Sequence, residues 1–571
     1  MDNREVAEVL EEMAMLMELN GESGFRIRAY VNAARAIDSL GEPVAALAAE
    51  GKLDTVRGIG KGLAGRIGEL VETGHLPGHE ELKASVPEGL MEMTEIPGLG
   101  AKRVRAIYEE LGIVDVDALS RACDSGDLEA MSGFGRKTAE RIANGIQYMQ
   151  KHRGQFLCDY AGNDAEGVLA FLEVQANVDR VAMAGSIRRR LEAHSKLDLV
   201  ASTKDPDALA GAFSGYGEVA EVDESGESRV NVVLKSGMRA NLWMVEDPAF
   251  ATALHRVTGS EAHVGQMRDR ASELGLKLDE HGLFNGERRI PCGDESALFE
   301  ALGLSEIPPE LREGAGEVRL AGTGGLPKLV SRADLQGTLH VHTRHSDGRA
   351  ELREMTKAAA GLGYEYIGIC DHSKAAAYAN GLTEDRVRAQ WEEIDSVNDE
   401  LDDIRVLKGI EVDILGDGRL DFEDEFLSEF DLVVASVHSR FGMTEAEATD
   451  RIVRAVQNPN VHILGHPTGR LLLSREGYPL DHRAVIDAAA EANTAIELNA
   501  NPRRLDMDWR HIGYARERGV KISINTDAHS IKGLEQMEYG LGVGRKGGLT
   551  AGDVLNAMSL DSFQAWCAES K

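Results

Sequence analysis

Cysteine is scarce in this 571-residue chain: five residues, Cys123, Cys158, Cys292, Cys370 and Cys567, scattered, odd in number and without CxxC spacing. That pattern excludes a disulfide framework and a zinc site built on thiolates, and it suits a reducing compartment. Long hydrophobic runs are missing too. No stretch approaches the ~18 apolar residues a membrane span needs. The opening MDNREVAEVLEEMAML carries acidic residues where a signal peptide carries basic ones, so a cytoplasmic location and no membrane partner are expected. Basic side chains are outnumbered, 63 Lys and Arg against 96 Asp and Glu, for a net charge of −33. Such a charge opposes a polyanion at long range, but repulsion is screened beyond ~10 Å in 0.1 M salt. What counts is whether basic residues gather locally. At 43% hydrophobic and 28% charged the chain is ordinary globular material, too long for one core, and three to five domains are expected.

Basic residues do gather. After an apolar helical pattern (Val6, Leu10, Met13, Met17) and the stretch Phe25 to Tyr30, one pattern occurs three times: Gly58-Ile59-Gly60-Lys61, Gly98-Leu99-Gly100-Ala101-Lys102-Arg103 and Gly133-Phe134-Gly135-Arg136-Lys137. Two glycines around an apolar residue tighten a turn between helices and expose backbone N–H groups. The helix that follows offers its partial positive charge to a phosphate. A lone GxG is usually only a turn. Three copies, each followed by a basic residue, resemble helix-hairpin-helix motifs, which grip DNA backbone without reading sequence.

From ~155 the pattern changes to short strands, Val181 to Ala184, Leu197 to Ala201, Val230 to Leu234 and Ala240 to Val245, with a mixed α/β region to about Pro309. The glycine-rich segment Gly314 to Gly325 lacks periodicity and reads as a linker. From Asp334 onward strands alternate with helices, which predicts a parallel sheet closed into a barrel. Its apolar strands end, one after another, in ligand-type residues: His340-Val341-His342 with Asp347 in the next loop, Asp371-His372, Glu411, His438, His466, and Asp527-Ala528-His529. Parallel barrels build their sites at that end. Mixed imidazole and carboxylate donors suit Mn²⁺, Zn²⁺ or Fe²⁺ rather than Mg²⁺ alone. So many donors exceed one ion's needs, and two or three ions are expected, with carboxylates such as Glu411 bridging neighbours.

With the HxH and the segments DHSKAAAYANGLT, GIEVDILGDGRLD, GHPTGRLL and NTDAH, residues 334–571 resemble the polymerase and histidinol phosphatase domain. The whole chain is similar to bacterial and archaeal family X DNA polymerases carrying that domain. The resemblance implies a multidomain α/β chain: a helical lyase-like domain (1–90), helix-hairpin-helix fingers (91–152), a nucleotidyltransferase-like palm (153–245), a thumb (246–312), a linker (313–333) and a distorted (β/α)7 barrel (334–571). It implies nine metal ligands, His340, His342, Asp347, His372, Glu411, His438, His466, Asp527 and His529, and a Mn²⁺-stimulated 3′–5′ exonuclease or related phosphoesterase. Lys374, Arg440 and Arg470 are candidates to hold the substrate phosphate. In the palm, Gly185-Ser186-Ile187-Arg188-Arg189 matches the family's nucleotide-phosphate motif, so Gly185, Ser186 and Arg188 are nucleotide-binding candidates. Thr258-Gly259-Ser260 matches the turn near the incoming nucleotide.

The palm also departs from that pattern. Two-metal nucleotidyl transfer needs carboxylates around two Mg²⁺, and the family supplies Asp-x-Asp and a third on a nearby strand. Here those positions read Lys196-Leu197-Asp198 and Asn241, which leaves Asp198 alone. Arg190 and Ser195 replace glycines, Arg256-Val257 replaces an aromatic pair, and the lyase lysine falls at Arg66, with Lys61 a weak substitute. Mg²⁺ is therefore not expected in the palm. The expected protein is a monomer that meets gapped DNA or 3′ ends through its hairpin turns and cuts in its barrel, in repair. The rival readings are a working gap-filling polymerase with unusual ligands and a non-catalytic DNA-end scaffold.

Overall fold

The computed structural model describes residues 1, 3–38, 40 and 43–569; Asp2, Ser39, Gly41, Glu42, Ser570 and Lys571, which belong to the first and last expected domains, lie outside the described residues. It divides into two compact units, Met1–Arg153 with Leu473–Glu476, and Gly154–Leu472 with Gly477–Lys571.

Residues Met1–Arg153 are helical, around two apolar clusters. One contains Val6, Leu10, Met17, Ile37, Ile67 and Leu70; the other contains Leu90, Val104, Ile107, Ile142 and Ile146. The three glycine turns share one geometry. The first glycine of each, Gly58, Gly98 and Gly133, has φ of 100°, 82° and 86°, a left-handed conformation that costs glycine little. The residues between, Ile59, Leu99 and Phe134, are buried. The second glycines, Gly60, Gly100 and Gly135, are the N-caps of helices Lys61–Thr73, Ala101–Leu111 and Arg136–His152. Lys61, Lys102, Arg103, Arg136 and Lys137 are exposed at those helix starts. Arg103 donates to the Gly98 carbonyl (3.1 Å) and Arg136 pairs with Glu140 (2.9 Å). Arg66 donates to the Tyr30 hydroxyl (2.9 Å).

The second unit opens with a five-stranded mixed sheet in the order Val178–Ala184, Lys196–Thr203, Arg239–Val245, Arg229–Leu234, Val219–Ser225. A three-stranded antiparallel sheet (Lys277–Asp279, Gly282–Asn285, Arg288–Ile290) follows, with helices Glu261–Glu273 and Glu295–Ala301. The segment expected to be a linker is part of this packing. Glu317–Thr323 is a helix whose Val318 and Ala321 join Leu298 and Phe299 in one apolar cluster. Its glycines, Gly316 (φ 101°) and Gly324 (φ 69°), are the helix's two ends rather than spacers. Buried Glu317 accepts hydrogen bonds from His263 Nδ1 (2.8 Å) and Gly314 N (2.9 Å).

The last region is a seven-stranded all-parallel sheet in sequence order: Gly337–Val341, Tyr366–Ile369, Arg405–Asp413, Leu432–Ser436, Ile463–Leu464, Ala495–Asn499 and Ile522–Asn525. A parallel bridge between Val341 and Ala528 brings its first and last strands together, so the barrel is nearly closed. Both faces of these strands are buried, as a parallel sheet inside a ring of helices requires. Phe563 and Trp566 of helix Leu560–Glu569 pack with Leu339, Tyr366 and Leu407 in one cluster. No described helix is long and apolar enough to cross a membrane.

Candidate metal centre

The strand ends converge on Glu411. Its carboxylate is buried in Arg405–Asp413 and lies 2.7 Å from His372 Nδ1, 3.0 Å from His466 Nε2, 3.2 Å from His438 Nε2, 3.4 Å from His340 Nε2 and 3.6 Å from His342 Nε2. Asp527 Oδ1 is 3.1 Å from His342 Nε2, and Asp347 Oδ1 is 3.3 Å from His529 Nε2. All nine expected ligands thus meet in one place. Eight of them form three groups whose donor atoms lie within 4.8 Å of one another: His342, Asp347, His372 and His529; His340, His342 and Asp527; His372, Glu411 and His438. The ninth, His466, reaches them through Glu411. Burial alone would raise the Glu411 carboxyl, but His438, His372 and His340 outweigh it and hold the group well below the usual carboxylate range.

Only some of these atoms satisfy one another. His340 Nε2, both nitrogens of His342, His372 Nδ1, Glu411 Oε2, His438 Nδ1 and His466 Nδ1 are buried without a directed hydrogen bond. Leaving a buried polar atom unsatisfied costs about 1–3 kcal/mol. A crowd of lone pairs aimed at common points is what a divalent cation site needs, and the donor set fits one.

A layer behind the ligands fixes them. Glu497, fully buried in strand Ala495–Asn499, accepts from His340 Nδ1 (2.7 Å), Asn525 Nδ2 (3.0 Å), Asn499 Nδ2 (2.9 Å) and the His466 amide (3.2 Å). The proton on His340 Nδ1 leaves Nε2 as the donor facing Glu411. Asp371 does not join the cluster. It accepts from Thr343 N (2.8 Å), Thr343 Oγ1 (2.6 Å) and Gln390 Nε2 (2.6 Å), bracing the loop that carries Asp347. Gly348 closes that loop, where an added Cβ would stand 2.6 Å from the His342 carbonyl carbon. Asp413 Oδ1 lies 3.3 Å from His438 Nδ1. Sequence reasoning missed Glu497, although one acid inside an otherwise buried strand was its signal. It also missed Arg504, whose Nε is 3.6 Å from Asp527 Oδ2.

The cationic candidates separate. Lys374 and Arg440 are exposed; Lys374 Nζ sits 4.9 Å over the Phe422 ring, and Arg440 packs on Gly416. Arg470 corrects its expectation as a phosphate contact. Its guanidinium donates to the Arg504 carbonyl (2.9 Å), the Leu505 carbonyl and Asp508 (3.1 Å), and lies 3.5 Å from Glu192 of the palm. Those partners hold all three of its nitrogens within the fold.

The palm residues are equally engaged. Strands Lys196–Thr203 and Arg239–Val245 pair in parallel with Asp198 opposite Asn241. Lys196 Nζ (3.1 Å) and Asn241 Nδ2 (2.9 Å) both donate to Asp198. Gly185, at φ 63°, lets the backbone pass over that carboxylate, where a Cβ would be 2.7 Å from Asp198 Oδ2. Ser186 Oγ and His194 Nδ1 share a hydrogen bond (2.8 Å), and burial lowers that imidazole to about 4, keeping it neutral. Arg188 donates to Thr258 Oγ1 (2.8 Å) and pairs with Glu295 (2.5 Å). Arg189, next in the motif, reaches the Thr258 carbonyl and Glu313.

Residues 1–76 match the helix-hairpin-helix domain, 90–147 the SAM-like helix-hairpin-helix tandem, 253–313 the DNA polymerase beta thumb and 338–501 the PHP domain. The DNA polymerase/3′-5′ exonuclease PolX of Bacillus subtilis (strain 168) is 36% identical over 572 residues, 99% of each chain. The chain belongs to the family X DNA polymerases. Shorter proteins are similar to part of this family X chain. A probable phosphatase of Syntrophotalea carbinolica is 33% identical over 175 residues, covering 30% of this chain and 68% of that protein. One of Thermoanaerobacter sp. (strain X514) is 29% identical over 229 residues, covering 38% of this chain and 88% of that protein. Helix-hairpin-helix and polymerase domains together imply that the protein binds DNA.

Proposed function

We propose that this family X protein is a metal-dependent phosphoesterase that degrades DNA from 3′ ends in its barrel, and that its palm no longer polymerises by the two-metal route. The observation that carries the first half is the convergence of buried, unsatisfied imidazole and carboxylate atoms on Glu411. Two or three divalent ions, Mn²⁺ or Zn²⁺ with Fe²⁺ a third option, would be held by the nine residues. When bound they would supply a water of lowered pKa and neutralise charge on the leaving oxygen. The chain's own residues do the rest. Glu497 holds His340 in the tautomer that points a lone pair inward. Arg504, Lys374 and Arg440 are the cations available to a substrate phosphate.

The second half rests on Asp198. An ammonium 3.1 Å from both of its oxygens stands where a Mg²⁺ would have to bind, and Asn241 is a neutral, weaker donor than the acid the family uses. Gapped or 3′-ended DNA would be gripped without sequence preference through the three glycine turns, with the protein acting as a monomer in the cytoplasm, in repair. The test is purified protein with Mn²⁺ on 3′-recessed, gapped and blunt DNA, with and without nucleotides. Nucleotide release without extension is the expected result. Template-directed extension without nucleotide release would overturn the proposal.

A further inference from the structure

Beside the cluster stands an aromatic ring that no core explains. Tyr378 lies in the short turn Ala377–Ala379, between His372 and helix Glu384–Glu400, and 73% of its surface is open to solvent. Its ring centroid is 6.2 Å from that of His372 and 6.5 Å from that of His438. Single exposed apolar side chains are ordinary on a protein surface. This one differs in place, because it overhangs two imidazoles of the cluster, and in the way its loop is held. Leu382 N donates to the His372 carbonyl (2.7 Å), and Ala375 N donates to Asp421 (2.6 Å). Asn380, at φ 57°, donates to the His345 carbonyl (3.1 Å), and Arg386 donates to the carbonyls of Asn380 (2.8 Å) and Gly381 (3.2 Å). A Cβ on Gly381 would stand 1.9 Å from the Ser373 carbonyl oxygen, so the loop lies flat against the strand end.

A ring that served packing would be buried, and one on a slack tether would have no fixed place. A ring held in position and left wet beside the cluster is suited to a flat ligand. Nucleobases are such ligands, and stacking on them is indifferent to sequence because every base has a π-face. The cluster and Arg504 can treat only the phosphate, which all phosphate esters share. A stacking face supplies what distinguishes a nucleotide from a simple ester.

We propose that Tyr378 stacks on the base of the nucleotide whose phosphodiester lies at the cluster, so that the barrel favours nucleic-acid ends over small phosphate esters. This rests on the barrel reading above. The experiment compares the full-length protein with Tyr378→Ala and Tyr378→Phe, in Mn²⁺, on one oligonucleotide ending in an ordinary 3′ nucleotide and on its twin ending in an abasic residue. Tyr378→Ala lowers kcat/KM on the ordinary end by about 10- to 100-fold, mainly through KM, and by less than about 2-fold on the abasic end. Tyr378→Phe recovers most of that loss, since stacking needs the ring and not the hydroxyl. Equal losses on both ends, or a Phe variant as poor as the Ala variant, would overturn the proposal. A second readout needs no turnover: a 3′-terminal 2-aminopurine behind a phosphorothioate bond should be quenched by the unmodified protein and not by Tyr378→Ala. Quenching without hydrolysis of ordinary DNA would sink the barrel reading and leave the stacking intact. Hydrolysis with no Tyr378-dependent quenching would do the reverse.

Discussion

The palm and the barrel each gather polar side chains at one end of a sheet, and they dispose of them in opposite ways. In the palm the groups at the expected metal and nucleotide positions have protein partners: Asp198 with Lys196 and Asn241, Ser186 with His194, Arg188 with Glu295 and Thr258. In the barrel the partners stop one layer out. Glu497 and Asp371 are saturated, while several atoms of the cluster they support, His340 Nε2 and both nitrogens of His342 among them, are buried without a directed hydrogen bond. The difference teaches how to read a polar cluster. One that closes on itself gains little from a ligand; one that leaves several buried atoms bare, at about 1–3 kcal/mol each, is stabilised by one.

The comparison breaks most visibly if a barrel ligand is dispensable. His340→Ala and Asp527→Ala should each cut DNA hydrolysis to background, a loss beyond the roughly 10–100-fold that follows removal of residues merely supporting a ligand. Circular dichroism should show the fold retained. Full activity in either variant would take the barrel out of the chemistry. Metal removal probes the same asymmetry without mutation. Chelation should lower the melting temperature, and Mn²⁺ restored to about 100 times its Kd should return about 2.7 kcal/mol. Asp198→Ala should leave that gain unchanged. A gain that vanished with Asp198 and survived loss of His340 would place the metal in the palm.

Next in size is the supporting layer. Glu497→Gln keeps the shape of the side chain but gives His340 Nδ1 a neutral partner that can present its amide the wrong way round. Metal affinity should fall by about 10–100-fold, measured by titrating the apoprotein. An unchanged affinity would show that Glu497 only fills space.

The barrel was legible because apolar strands make ligand-type residues conspicuous: a His or Glu after Val-Val-Ala-Ser-Val or Leu-Lys-Gly-Ile stands out against its neighbours. Its supporting residues were less so. Glu497 sits two positions from the end of its strand, and its meaning depends on His340, 157 residues away. Arg470 looked like a phosphate ligand because its motif places it after His466, and only the folded loop 501–508 reveals the carbonyls that claim it. The helix Glu317–Thr323 was hidden by the glycines that cap it. Strand Val219–Ser225 was hidden by its acidic, solvent-facing edge, where alternation is weak.

The palm can be pushed toward the barrel's condition. Lys196→Asp with Asn241→Asp would remove both donors from Asp198 and restore the acids the family uses. Arg188 would still be held by Glu295, and Arg256 still lies 3.5 Å from Glu280. Primer extension should therefore rise above background by less than the roughly 10²–10³-fold that one well-placed electrostatic contact is worth. Robust extension by the unmodified protein, surviving loss of barrel ligands and abolished by Asp198→Ala, would mean the palm's closed network opens when nucleotide binds.

The smallest effect separates delivery of DNA from chemistry on it. Lys102 and Lys137 are exposed at the starts of helices Ala101–Leu111 and Arg136–His152. Arg103 and Arg136 already have protein partners, so the lysines make the cleaner pair. Each phosphate neutralised contributes about 0.9 to the slope of log affinity against log salt. Lys102→Gln with Lys137→Gln should flatten that slope by up to about 1.8 and weaken binding alike on all sequences. If the turns grip backbone and perform no reaction, as proposed, hydrolysis by the barrel and extension by the restored palm should fall by the same factor at limiting DNA. Both should recover at saturating DNA. A loss confined to one reaction would show that these turns serve one site rather than the whole molecule.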